Sequence, residues 1–392
     1  MSLNAAVDPI LRQVIETSSI PGIVGLAANQ AGVIYQGAFG RLGVDRDAPM
    51  RLDSAFRIAS MTKAVTATAV MHLIEQGRIG LEQPAGEIAT GLRDPQVLEG
   101  FDAAGKPRLR PARGPILIRH LLTHTSGFSY DLFNAEVGRY MEQAGLPSIS
   151  TCKNDSLKAP LVFDPGTSWE YGIGIDWLGK IVESVSGKPL EVYVADHIAG
   201  PLGMQDTSFK PDAALRARMV TVHGTAPDGK LVPIEFEFPS DGDFVMGGGG
   251  LVSTGPDYLR FTRMVLNDGA LDGVRILKPE TVALMRQNQI GAVEVPTEFK
   301  SDNPALALPI ELLPGVTKKW GLSFLLNEQP LPTGRGAWSM SWSGVMNTYF
   351  WIDPARDLTA VLMMQLLPAG APEVIEALVR YEIGLYRALA AL

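Results

Sequence analysis

Apolar and polar positions alternate in blocks along the chain, and the blocks predict its elements. "MSLNAAVDPILRQVIE" spaces its apolar residues for an amphipathic helix at the start of the chain. "GIVGLAANQ" and "GVIYQGAFG" are β-rich runs on either side of the turn signal "NQAG", which predicts a hairpin. "SMTKAVTATAVMHLIEQG", residues 60–77, then reads as a helix that Ser60 can cap and Gly77 can stop. It is apolar nearly all round, so it belongs deep in the protein. Its early threonines are poor helix formers, so burial has to hold it together.

Residues 81–239 are rich in Pro, Gly and Asp, with helical pieces such as "IRHLLTHTSG" and "GIDWLGKIVESVSGKPLEVYVADHIAGPLGM". "DPGTSWEYG" reads as a turn-rich loop between them. Further on, the four glycines Gly247 to Gly250 lead into another helical stretch. "WSMSWSG", "NTYFWID" and "DLTAVLMMQLL" predict three strands, the last two joined by the turn "DPARD". "PEVIEALVRYEIGLYRALAAL" closes the chain as an amphipathic helix. Strands near both ends therefore predict one antiparallel sheet flanked by the terminal helices. Residues 1–80 and 240–392 would form that discontinuous unit, with 81–239 a mainly helical insertion and the buried helix of residues 60–77 deep between the two.

An apolar content of 46% in 392 residues supports a large core. The net charge of −8, without a basic stripe, argues against nucleic-acid and anionic-membrane partners. Cys152 is the single cysteine, so no internal disulfide can form, and its neighbours "STCKND" read as an exposed loop. The N-terminus lacks the basic and apolar regions of a secretory signal, and no apolar run reaches membrane-spanning length. A cytoplasmic location is the expectation, and the sequence fixes no oligomeric state.

The pattern S-x-x-K occurs twice, at Ser60–Lys63 and at "STCK", Ser150–Lys153. A serine hydroxyl needs a base beside it to become a nucleophile, and three residues along a helix bring a lysine within reach. A neutral lysine amine can be that base. At a helix start, Ser60 also gains from the macrodipole, and its own N–H can stabilise an oxyanion. The match at Ser150 lacks a following apolar helix and reads as a turn.

"SMTK" at the start of an apolar helix, "WEYG" about a hundred residues on and "SWSGV" on a late strand resemble the serine β-lactamase and penicillin-binding-protein superfamily. Within it, the chain is similar to family VIII carboxylesterases and to the lovastatin-pathway acyltransferase. "IRHLLTHTSGFSY", "DPGTSWEYGIGIDWLGK", "GPLGM" and "GGGGLVS" extend the match almost end to end. The resemblance implies an α/β fold of the α+β kind, β-lactamase-like. It makes Ser60 the acylated residue, with Lys63 and Tyr171 sharing the base role. The N–H groups of Ser60 and Val345 become the oxyanion hole. Tyr130, Trp342, Ser343, Gly344, Ile173, Gly248 and Gly249 become substrate-binding positions, the two glycines because they let backbone approach closely.

Two positions depart from the superfamily pattern. Trp342 stands where many β-lactamases carry Lys or His, and Ile173 stands where an asparagine often contacts a substrate amide. Both point away from anionic β-lactams and toward neutral acyl groups. The expected activity is hydrolysis of a small-molecule ester with a short to medium acyl chain. An acyltransferase using the same residues stays open, as do a β-lactamase, a D-amino peptidase and a non-enzymatic sensor on the same fold.

The chain has no G-x-S-x-G elbow, no ligand spacing among its five histidines and no P-loop lysine after the glycine run. The expectation is no metal and no cofactor.

Overall fold

The computed structural model describes residues 2–239 and 241–391. Its first helix, α1 (Leu3–Thr17), starts at Ser2, whose hydroxyl accepts the Ala5 N–H. The predicted hairpin follows as β1 (Gly22–Ala28) and β2 (Val33–Gly43), and β3 (Arg46–Pro49) pairs with β2. The central helices are α2 (Thr62–Glu75), α3 (Gly174–Ser186) and α4 (Gly255–Leu266). Five strands follow: β4 (Lys318–Trp320), β5 (Leu325–Asn327), β6 (Met340–Gly344), β7 (Thr348–Asp353) and β8 (Leu358–Met363). The chain ends in α5 (Pro372–Ala390).

The eight strands form one antiparallel sheet in the order β4-β5-β6-β7-β8-β1-β2-β3. The join between the two ends of the chain is β1 on β8, with Leu26 opposite Val361 and Val24 opposite Met363. Every residue of β1 and β8 is buried, because the sheet is covered on both faces. Alternate side chains then go to different cores. Ile23, Ala27, Ala360 and Leu362 pack with Val7, Leu11 and Tyr381 of α1 and α5. Val24, Leu26, Val361 and Met363 pack with Tyr258, Phe261 and Val265 of α4 in the main core. The terminal helices thus share one face, and the central helices take the other.

Residues 81–239 contain α3, several shorter helices and two hairpins, Gln96–Phe101 with Pro107–Pro111 and His223–Thr225 with Leu231–Pro233. Their alternation is too short and too polar to have stood out from loop.

Helix α2 is buried at eleven of its fourteen positions, so the sequence reading of a core helix holds. Its threonines act as fasteners. Thr66 Oγ1 donates to the Gly247 carbonyl at 2.7 Å, and Thr62 Oγ1 accepts the Leu251 N–H at 3.1 Å. The glycine run is tied against this helix at both ends. The expected cap is different, however. The helix is preceded by a short 3-10 turn, Ala59–Met61, and no side chain caps either segment. The Ser60 hydroxyl is therefore free of the backbone.

Candidate active site

Ser60 sits in the turn that leads into α2, one helical turn before Lys63. The Lys63 amine donates to Ser60 Oγ at 3.2 Å, to Tyr130 OH at 3.0 Å and to the Gly248 carbonyl at 2.7 Å. Three donors meet three acceptors, which fixes a buried amine in one orientation. Nζ also lies over two phenol rings, 4.6 Å from the Tyr171 centroid and 5.0 Å from that of Tyr130.

Strand β6 delivers the other half of the site. Its last residue, Gly344, abuts the turn before Ser60: a Cβ there would stand 2.4 Å from the Ile58 carbonyl oxygen and 2.3 Å from Thr348 Oγ1. The close approach brings Val345 to the edge of the Ser60 turn, with Ser343 paired to Tyr349 on the strand. Ser60 N–H precedes the first hydrogen bond of its turn, from Met61 N–H to the Ile58 carbonyl. Among the described residues the Val345 N–H has no backbone acceptor. These are the two N–H groups expected to face an oxyanion.

Tyr171 belongs to a dense aromatic group. Its ring centroid lies 4.8 Å from His124, 5.2 Å from Trp342, 5.5 Å from Tyr130 and 5.7 Å from Phe299. Its hydroxyl accepts the Trp342 indole N–H at 3.3 Å. Trp342 thus spends its one donor on Tyr171 and presents an apolar wall. Lys63 meets Tyr171 through the ring face, and its phenol hydrogen-bond partner is Tyr130. Tyr130, expected to line the acyl pocket, is buried and committed to Lys63 and Asp176.

Asp176 is the residue that the sequence reading missed. It lies in the first turn of α3 and is fully buried. Its Oδ2 accepts the Tyr130 hydroxyl at 2.9 Å, and its Oδ1 accepts the Gly248 N–H at 2.7 Å. Burial raises its carboxyl above the ordinary carboxylate value, and Lys63 and both hydrogen bonds offset only part of that rise. Burial, and then Asp176, push the Tyr130 phenol well above its ordinary value, so it stays a donor. The only sequence signal was position: an acidic residue five after Tyr171, on the buried side of a helix.

The remaining expected residues divide. Gly248 has no room for a side chain, since a Cβ would lie 2.6 Å from both Asp176 Oδ2 and Tyr130 OH. Gly249 has ordinary space around it. Ile173 is buried at the N-cap of α3, within the main core. Cys152 corrects an expectation: it is buried, not in an exposed loop, and burial raises its thiol to about 11, which makes it a poor nucleophile.

His124 is wholly buried beside Tyr171, with a positive φ of 58°. Its Nδ1 accepts the Gly172 N–H at 3.4 Å. Burial, with Lys63 nearby, holds it far below an ordinary histidine, so the fold keeps it neutral. Unfolding releases a group that binds a proton below about pH 6.5. Its contribution is whole above that pH and is lost as the pH falls. We expect the Tm to drop between about pH 6.5 and 5, and the drop to be smaller in His124→Asn, whose amide can accept the same N–H and tolerate the same φ. Thermal melts of both proteins across that range check this.

Two clefts open beside the site. One, of about 380 Å³, is lined by Phe133, Trp169, Tyr171, Phe299 and Lys300. On the other side Ala59, Gly249 and Met346 line a narrow recess of about 60 Å³. That recess shares Phe209, Phe238 and Gly250 with a cleft of about 950 Å³. Among the described residues no group of His, Cys, Asp and Glu is arranged to hold a metal, and no helix is long and apolar enough to cross a membrane.

An antiparallel sheet with the terminal helices on one face, and a Ser-x-x-Lys turn packed against a strand end, defines a β-lactamase-like fold. The chain belongs to the beta-lactamase family, whose model matches residues 7–384. It is 34% identical over 393 residues to monacolin J acid methylbutanoyltransferase of Aspergillus terreus, covering 94% of this chain and 93% of that one. It is 30% identical to lovastatin esterase of Penicillium rubens, covering 97% and 98%. The LovD6 mutant of simvastatin synthase from Aspergillus terreus superposes with a TM-score of 0.87 at 31% identity, covering 100% of this chain and 98% of that one. The chain is accordingly an enzyme of the serine β-lactamase superfamily, of its acyltransferase and esterase kind.

Proposed function

We propose that the enzyme cleaves carboxylic esters of short to medium acyl chains through an acyl-enzyme on Ser60. The observation that carries this reading is the 3.2 Å contact between the uncapped Ser60 hydroxyl and the buried Lys63 amine. Ser60 Oγ attacks the ester carbonyl and passes its proton to Lys63. The N–H groups of Ser60 and Val345 hold the oxyanion. Lys63 with Tyr171 returns the proton to the leaving alcohol, and the same pair activates water to release the acid. The reacting groups come from both proposed units: Ser60, Lys63 and Val345 from the outer one, Tyr171 from the insertion.

Trp342 offers no cation for a substrate carboxylate, and its indole N–H is already engaged. That supports neutral acyl groups over β-lactams. Transfer to an alcohol is the second reading, favoured by similarity to a protein named as a methylbutanoyltransferase and to another named as an esterase. Turnover of p-nitrophenyl butyrate with and without an added alcohol separates the two. We expect free acid as the main product, and no hydrolysis of a chromogenic cephalosporin. A new ester as the main product would make the enzyme a transferase. Absence of p-nitrophenol release would overturn the hydrolase reading.

A further inference from the structure

Lys63 has a counter-charge that it never touches. The Asp176 carboxylate reaches it through two hydrogen-bonded arms. One arm is Tyr130: its hydroxyl donates to Asp176 Oδ2 at 2.9 Å and accepts from Lys63 Nζ at 3.0 Å. The other is Gly248: its N–H donates to Asp176 Oδ1 at 2.7 Å, and its carbonyl accepts from Lys63 at 2.7 Å. The two oxygens of one carboxylate thus orient two of the amine's three acceptors, and the third is Ser60 Oγ. The carboxylate, the phenol and the amine are all buried. Gly248 has no free volume, so the arms cannot shift independently.

We infer that Asp176 is a positioning residue for Lys63: it orients the Tyr130 hydroxyl and the Gly248 peptide as acceptors of the amine, and it places a carboxylate behind both of them. The inference rests on the reading of Ser60 and Lys63 as nucleophile and base. A buried carboxylate in this place acts through its two hydrogen-bonded arms. It has a benefit in geometry, because an amine aimed at Ser60 Oγ needs no reorganisation when the hydroxyl attacks. The other titratable groups facing this cluster are Tyr171, His124, Asp131 and Cys152. Burial holds His124 neutral and raises the Cys152 thiol to about 11, so neither supplies a compensating charge near neutrality.

The test is the rate at which a fluorophosphonate probe labels Ser60, followed from about pH 5 to 10. In that reaction Ser60 Oγ bonds to phosphorus, the P–F bond breaks, fluoride leaves and Lys63 takes the proton. In Asp176→Asn the plateau rate is expected to fall roughly tenfold or more as the amine loses its fixed aim. The acid limb of the profile should move to lower pH, because the buried negative charge nearest the cluster is gone. Tyr130→Phe, the second variant should Asp176→Asn not fold, removes one arm and should move the limb in the same direction by less. A limb that coincides with wild type in either folded variant overturns the inference, whatever happens to the plateau. Failure of the wild type to label at all overturns the nucleophile reading itself. A labelled enzyme that does not hydrolyse p-nitrophenyl butyrate overturns only the hydrolase reading.

Discussion

Ser60→Ala abolishes turnover of p-nitrophenyl butyrate, with kcat/KM down roughly 10⁴-fold or more. The size of the loss follows from the way the site is built. Lys63 is positioned only to serve the Ser60 hydroxyl; its two other donors are held by Tyr130 and Gly248. Without the hydroxyl there is no atom to acylate, and the amine and N–H groups that remain can only act on water. The fold should be untouched, because Ser60 caps no helix and its hydroxyl pairs with Lys63. An unchanged Tm with activity at background is the expected pair of results. A mutant that keeps its activity would reduce Ser60 to a residue of the turn before α2 and sink the mechanism.

The second large effect is Gly344→Ala, one methyl group added where β6 meets the turn before Ser60. The new Cβ would fall 2.3 Å from Thr348 Oγ1 and 2.4 Å from the Ile58 carbonyl oxygen. Thr348 Oγ1 itself bonds that carbonyl, so the two obstacles form one fixed contact. Backbone has to move, and what moves is the junction between β6 and the Ser60 turn. Overpacking of this kind costs about 2–3 kcal/mol. The larger consequence is catalytic. Val345 N–H would be pushed away from the oxyanion position, and loss of one such donor lowers kcat by about 10²–10³-fold. Thermal melts and kcat together check this. A drop in Tm with kcat intact would show that Val345 does not hold the oxyanion. Gly32→Ala, in the turn between β1 and β2, serves as the control, since a methyl there meets nothing within 4 Å.

Much of this was legible in the order of residues. Strands β1, β2, β6, β7 and β8 were visible because their alternation or continuous apolar run is dictated by burial on the sheet, whereas the short β3, β4 and β5 were not. The terminal helices were visible for the same reason at a period of 3.6. The core character of α2 showed in residues that are poor helix formers yet apolar on every side. The pair Ser60 and Lys63 was legible because its spacing is local: three residues on one turn decide whether two side chains meet. "WEYG" and "SWSGV" were legible through resemblance, since nothing in their own spacing brings them to Ser60.

The rest was a matter of distance along the chain. Asp176 meets Tyr130 across forty-six positions and Gly248 across seventy-two, and no periodicity encodes such a meeting. The sequence made Ser60 a plausible cap, but the 3-10 turn before α2 left its hydroxyl free, a choice of backbone path that only packing against Gly344 and Leu251 settles. It made Tyr171 the partner of Lys63, yet the fold gives the hydrogen bond to Tyr130 and sets Tyr171 face-on. By itself the sequence determined which elements form and which residue types could do chemistry, because propensity, burial period and short-range spacing are written locally. Which buried donor meets which buried acceptor was decided only by the tertiary structure, because that pairing depends on segments far apart in the chain being packed against one another.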